Sequence, residues 1–506
     1  MNNKPLKGSL LLRGGEVVRW IDNGWNIEKV DILIMDEKIV SIHEHASVHT
    51  EAEQTIDCTG MIVYPGLHNS HSHLLELWQR SLHEQLPLET WVPYKAYLDM
   101  MTNLQPHEVE SVTRLACLEL LRNGVTSVVE HMYLRPKLST QAIQASMKAL
   151  LTSGIRGWLA PAMVDLSTAE INGLNTIDLP REICDELSKK PVLPASEQLK
   201  LVEDAIKQAK TINNPMLNII EGPGGPNFCS TSLFEGAIDL ARRYDLMLHT
   251  HILETRCQRM VIKERFGRGT VQYLKELGAL SPKFFAAHVI WIDQTEIEML
   301  AESGVTVVHN PASNLRLGSG LCPVPEMRKA GVNVVLGSDG GDTSDSYAIM
   351  DQARFAAMIH RTSHDDPATW IAGEDAFTMA TLNGAALLTG GKTGNLVAGN
   401  LADIVIMEKD HRFLTPGPIA RKLVHAGNGT IRYVIVNGKM VIKDGRSTLF
   451  NEQNDVEVLQ NLLERGMQLF PQSIAAGNKV YPVLNQLYNR SIKYNGTFQP
   501  GDFIRE

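Results

Sequence analysis

The stretch PGLHNSHSHLLELWQR, Pro65–Arg80, places His68, His71 and His73 within six positions, directly after the β-type run MIVYPG. In an extended strand successive side chains alternate between faces, so His71 and His73 point the same way. Two imidazoles on one face at a strand end are half of a metal site, and the other half must lie downstream. Downstream, short apolar strands alternate with helical stretches: GVTSVVEH, IRGWLAPAMVD, LNIIEGPGG, LMLHTHILE, FFAAHVI, VTVVHNP and VNVVLGSDGG. With HNSHSH as the first strand end, these make eight βα units, which predicts an α/β chain built on a (β/α)8 TIM barrel. In that fold, active-site residues sit at the C-terminal ends of strands. Six strands here end in a metal ligand or an acid/base: His71 and His73, Glu130-His131, His249-Thr250-His251, His288, His309-Asn310, and Asp339. Their recurrence at one strand position predicts a metal centre at the barrel mouth.

The flanks of the barrel have a different texture. GSLLLRGGEVVRW, VDILIMDEKIVSI and QTIDCTGMIVYPG open the chain as short β runs, and ADIVIMEKD and IRYVIVNGKMVIKDG repeat that texture near its end. Both ends are therefore expected to meet in one small β-sandwich. Residues 1–62 supply its N-terminal part, 63–400 form the barrel, and 401–506 hold its C-terminal part plus a tail. Over 506 residues, a charged content of 21% and a net charge of −9 without a Lys/Arg block argue against a nucleic-acid partner. No apolar run approaches the ~18 residues needed for a bilayer span. Six scattered cysteines without a C-x-x-C pattern fit reduced thiols, hence a cytoplasmic location.

The motifs PGLHNSHSH, LHTHILET, AAHVIWI, VVHNPASNLRLGSG and VVLGSDGG, in this order, resemble the signatures of the amidohydrolase superfamily. The nearest branch holds S-adenosylhomocysteine/methylthioadenosine deaminases, 8-oxoguanine deaminases and triazine hydrolases. The likeness runs from about residue 10 to about residue 445, and the tail beyond about 450 matches nothing in it. It implies a mononuclear site with His71, His73, His251 and Asp339 as ligands, and Glu254, His288 and Asp339 as catalytic groups. Three imidazoles and one carboxylate suit a borderline divalent ion independently of the likeness, zinc first and iron(II) next. His249 competes with His251 for the ligand role. The resemblance favours His251, because the family's ligand stands three residues before the catalytic glutamate and Glu254 is three after His251. His68 falls outside the motif, as a structural or rim residue. LNIIEGPGG offers no lysine to bridge two metals, although Glu221 is a carboxylate at that strand end.

The implied chemistry is hydrolysis. Bound metal brings the pKa of its water to near ~7, and the resulting hydroxide attacks the substrate. Glu254 moves the proton while His288 aims the water. A basic leaving amine needs an acid, so Glu254 favours release of ammonia from an amino-substituted N-heterocycle of purine, pterin, pyrimidine or triazine type. Hydrolytic dehalogenation or amide hydrolysis of a related ring is the alternative, and a metal-free scaffold is the competing non-enzyme reading. Trp91 is expected to stack on the ring, with His131, His309 and Asn314 reading its edges or bracing the metal. The polar segment from Ser167 to Gln198 is a candidate lid. A homodimer or higher homo-oligomer is expected.

Overall fold

In the computed structural model the described residues are 6–46, 52–174, 179–364, 366–427 and 429–494. The parallel strands run as the sequence spacing demands. Leu67–His73 pairs with Val125–Met132, which pairs with Arg156–Met163, which pairs with Leu217–Ile219 and Gly222–Pro223. A single parallel bridge between Glu221 and Leu248 carries the order on to Leu248–Ile252, followed by Phe284–His288, Thr306–His309 and Asn333–Leu336. Asp339–Gly340 then pairs back with Ser72 and His73. The circuit of parallel pairing closes in chain order with helices between its strands, the TIM-barrel arrangement. At this closure a Cβ on Gly340 would lie 1.8 Å from Glu76 Oε2, so the Glu76 carboxyl fills the space that a side chain there would take.

The two chain ends do meet. Their strands form one continuous nine-stranded sheet, in which Met61–Pro65 from the N-terminal part pairs antiparallel with Ile404–Glu408 from the C-terminal part. Leu12, Ile32, Ile34 and Val63 pack with Ile404, Ile406 and Ile435 in one core, so neither part is a folding unit alone. A buried ion pair links this sheet to the floor of the barrel. Arg156, at the start of its strand, lies 3.1 Å from Asp403, which also accepts the Asn437 backbone N–H at 2.7 Å.

The tail has a structure of its own, a helix over Gln453–Ile492. It packs along the helix Leu88–Thr102, where a Cβ at Gly477 would stand 2.3 Å from the Tyr94 ring, and Tyr94 Oη donates to Asn478 at 2.8 Å. Val480 and Leu484 pack against Ala169 and Leu187 of the segment expected to be a lid. Residues 175–178 of that segment lie outside the described residues. No helix among the described residues is long and apolar enough to cross a membrane.

Candidate metal centre

Four side chains from three strand ends converge. Asp339 Oδ1 lies 3.2 Å from His71 Nε2 and 3.2 Å from His73 Nε2, and His251 Nε2 lies 3.3 Å from His73 Nε2. All four are buried. Each imidazole is held from behind through its other nitrogen. His73 Nδ1 donates to the His131 carbonyl at 2.7 Å and His251 Nδ1 to the Gly224 carbonyl at 2.8 Å, while His71 Nδ1 faces His249 Nε2 at 2.7 Å. A ring that gives its Nδ1 proton backwards presents a bare Nε2 lone pair forwards. Two of these nitrogens, Nε2 of His71 and of His73, gather on the Asp339 carboxylate oxygen with His251 Nε2 beside them, a donor set that fits a cation. Burial drives His251 far below the usual imidazole range and lowers His71 to about 4, which favours neutral ligands. Burial would lower His73 as well, but Glu76 and Asp339 outweigh it and raise it to about 9. A divalent ion would compete there with a proton.

The residues expected to act as acid and base stand beside this cluster. His288 Nε2 is 3.8 Å from Glu254 Oε2 and 3.9 Å from Asp339 Oδ2, and its Nδ1 donates to Asn314 Oδ1 at 2.9 Å. Burial pushes the Glu254 carboxyl up to about 7, against the pull of His288 and with the push of Asp339 and Glu89. Ser319 Oγ donates to Glu254 Oε1 at 3.4 Å and Ser313 Oγ to Asp339 Oδ2 at 2.5 Å. His288 and Asp339 adopt left-handed backbone conformations, with φ of 73° and 63°. Strained residues of this kind cluster where side chains must be aimed.

A cavity of about 340 Å³ opens onto the centre, lined by His73, His251, Glu254, His288 and Asp339. Trp91 is in its wall, as are Thr168, Leu187 and Gln198 of the Ser167–Gln198 segment and Val480 of the C-terminal helix. His131, His309 and Asn314 are fully buried outside this wall. Asn314 braces His288, and His131 holds His73 through its backbone and donates from Nε2 to the Gly222 carbonyl at 3.0 Å. Both ring nitrogens of His309 lack a hydrogen-bond partner. His68 lies at the opposite end of its strand, within 3.3 Å of Thr393 Oγ1 and away from the cluster. Glu130 accepts the Leu74 N–H at 2.6 Å and fixes the backbone just past His73. Glu76, Glu89, Lys95 and Tyr133, none of them among the residues expected from the sequence, also line the cavity. Spacing could have flagged two of them: Glu76 follows His73 by three residues, and Glu89 precedes Trp91 by two.

A parallel β/α barrel with a buried His/Asp cluster at the strand ends defines a class of metal-dependent enzyme. The amidohydrolase family profile matches residues 62–441, and the chain belongs to that family. A 5-methylthioadenosine/S-adenosylhomocysteine deaminase of Pyrococcus horikoshii is 30% identical over 451 residues, 89% of this chain and 98% of its own length. A 5'-deoxyadenosine deaminase of Methanosarcina mazei is 30% identical over 90% of this chain and 98% of its own. Among solved structures, a triazine hydrolase from Arthrobacter aurescens superposes with a TM-score of 0.81 at 26% identity, covering 90% of this chain and all of that one.

Proposed function

We propose that this chain is a metal-dependent aminohydrolase that releases ammonia from an amino-substituted nitrogen heterocycle of purine, pterin, pyrimidine or triazine type. The observation that carries this reading is Glu254, a buried carboxyl pushed up to about 7 beside the cluster of His71, His73, His251 and Asp339. Its proton affinity suits exchange near neutral pH. His71, His73, His251 and Asp339 would hold a divalent ion, which would supply Lewis acidity and bring the pKa of water to near ~7. His288, which gives its Nδ1 proton to Asn314, keeps an Nε2 lone pair to accept a hydrogen bond from the attacking water and orient it. Glu254 takes the water proton and passes it to the ring nitrogen, and the second water proton follows to the leaving amine. A C–O bond forms, the C–N bond breaks and ammonia departs. Trp91 offers a face on which a flat ring stacks. The names of the relatives support the same reading, since both are deaminases of adenosine derivatives.

The dehalogenase alternative has its own support, because an atrazine chlorohydrolase from Arthrobacter aurescens complexed with zinc superposes at 27% identity and a TM-score of 0.77. Chloride leaves without a proton, so a retained, tuned Glu254 favours deamination. A scaffold role is disfavoured because no ligand or acid/base position is missing. The test is ammonia release from a panel of aminated purines, pterins, pyrimidines and triazines, with 5'-deoxyadenosine and methylthioadenosine included. At least one is expected to turn over. Ready turnover of a chlorinated or thioalkyl ring with no ammonia from any aminated one would overturn the deaminase reading.

The same reading extends to the rest of the molecule. The parallel circuit is an eight-stranded (β/α)8 barrel spanning residues 63–400, and the mixed sheet is a small sandwich built from 1–62 and the part after 401. One metal is held per chain, zinc before iron(II). The chain is a cytoplasmic homo-oligomer, supported on the first point by six free cysteines.

A further inference from the structure

His73 and His251 are anchored by backbone carbonyls, but His71 is anchored by a side chain. His249 Nε2 stands 2.7 Å from His71 Nδ1, and the other nitrogen of His249, Nδ1, stands 3.2 Å from the Phe285 carbonyl oxygen. The His249 ring also stacks on the Phe285 ring at 4.3 Å, which fixes its plane. A carbonyl oxygen only accepts, so His249 carries its proton on Nδ1. His249 is fully buried, its ring nitrogens face only the Phe285 carbonyl and His71, and a neutral imidazole there has one proton. Its Nε2 is therefore a lone pair. Two lone pairs cannot share a 2.7 Å contact, so His71 must carry its own proton on Nδ1. The remaining nitrogen, His71 Nε2, is then bare where it faces Asp339.

We infer that His249 is a positioning residue, which sets the tautomer of His71 by relaying the polarity of the Phe285 carbonyl and so presents the His71 Nε2 lone pair to the metal. This rests on the reading of His71 as a ligand. It also assigns His249 a role other than that of a fourth imidazole ligand. His71, His131 and His249 do place ring nitrogens within 4.8 Å of one another, but the 2.7 Å contact leaves no room for an ion between the first and the last.

The test is zinc affinity of the full chain, measured by chelator competition on the wild type, His249→Leu and His249→Gln. Leu removes the acceptor and strands the His71 Nδ1 proton, and zinc affinity is expected to fall about 10–100-fold, the usual effect of losing such an outer partner. The Gln amide oxygen can accept from His71 and its NH₂ can donate to Phe285, so His249→Gln is expected to stay within a few-fold of wild type. Unchanged affinity in His249→Leu would refute the relay. Equal loss in both variants would overturn it in favour of His249 as a ligand. Nitrogen-15 spectra of the zinc-loaded wild type give a readout independent of affinity, with a proton expected on His71 Nδ1; a His71 without a proton on Nδ1 refutes the inference. A wild-type chain that binds no zinc would instead sink the functional reading on which this one stands.

Discussion

Glu254→Gln separates the chemistry of this carboxyl from its cost to the fold. The side chain is buried and lies among Asp339, Glu89 and His288, and burial raises its pKa from 4.5 to about 7. Gln keeps the shape and can still accept from Ser319, but it cannot carry a proton between water and the leaving amine. On the metal-loaded enzyme, kcat is expected to fall about 10²–10⁴-fold, the scale of a general acid/base. That corresponds to about 2.7–5.4 kcal/mol of barrier. Stability should move the other way. Because folding raises this carboxyl, the folded metal-stripped chain binds more protons than the unfolded one between pH 4.5 and about 7, and stability falls as pH climbs through that window. The penalty is absent below the lower value and complete above the upper one, where a shift of this size is worth about 3 kcal/mol. Glu254→Gln removes the group, so urea denaturation of the metal-stripped variant should show a gain over wild type at pH 8 that shrinks towards pH 5. A variant that keeps wild-type turnover, or one whose stability relative to wild type does not change between pH 5 and pH 8, refutes the reasoning.

Metal analysis of the purified chain should find about one divalent ion, and His251→Ala should remove it; two ions per chain would mean a binuclear site. Asp403→Ala leaves the buried Arg156 without its counter-charge beneath the barrel, with only the Asn437 amide oxygen still accepting from it, and is expected to cost about 3–5 kcal/mol in chemical denaturation; a loss under 1 kcal/mol would show that the link is not structural. Gly477→Leu drives a side chain into the Tyr94 ring. It should destabilise by about 1–3 kcal/mol and raise KM more than it lowers kcat, because the helix it displaces carries Val480 in the cavity wall. Wild-type stability and KM would show that the tail helix does not brace the pocket.

Much of this molecule is legible in its sequence for local reasons. Alternation along a strand puts His71 and His73 on one face, whatever surrounds them. Short apolar runs separated by helical stretches dictate parallel strands, and parallel strands put their C-terminal residues at one mouth. Tertiary structure decided what alternation leaves degenerate. His249 and His251 share a face and differ only in depth, by about 6.6 Å along the strand. The stagger of the neighbouring strands brings the second level with His73 and leaves the first behind His71. His131, at a strand end, and Asn314, in the short helix just past one, look like cavity residues in sequence, but packing turns them to hold other side chains. The tail shows the limit most plainly. The sequence assigned it no role, and only the folded chain shows it as a helix lying on the helix of Trp91 and on Leu187, because a contact across hundreds of residues leaves no trace in local periodicity.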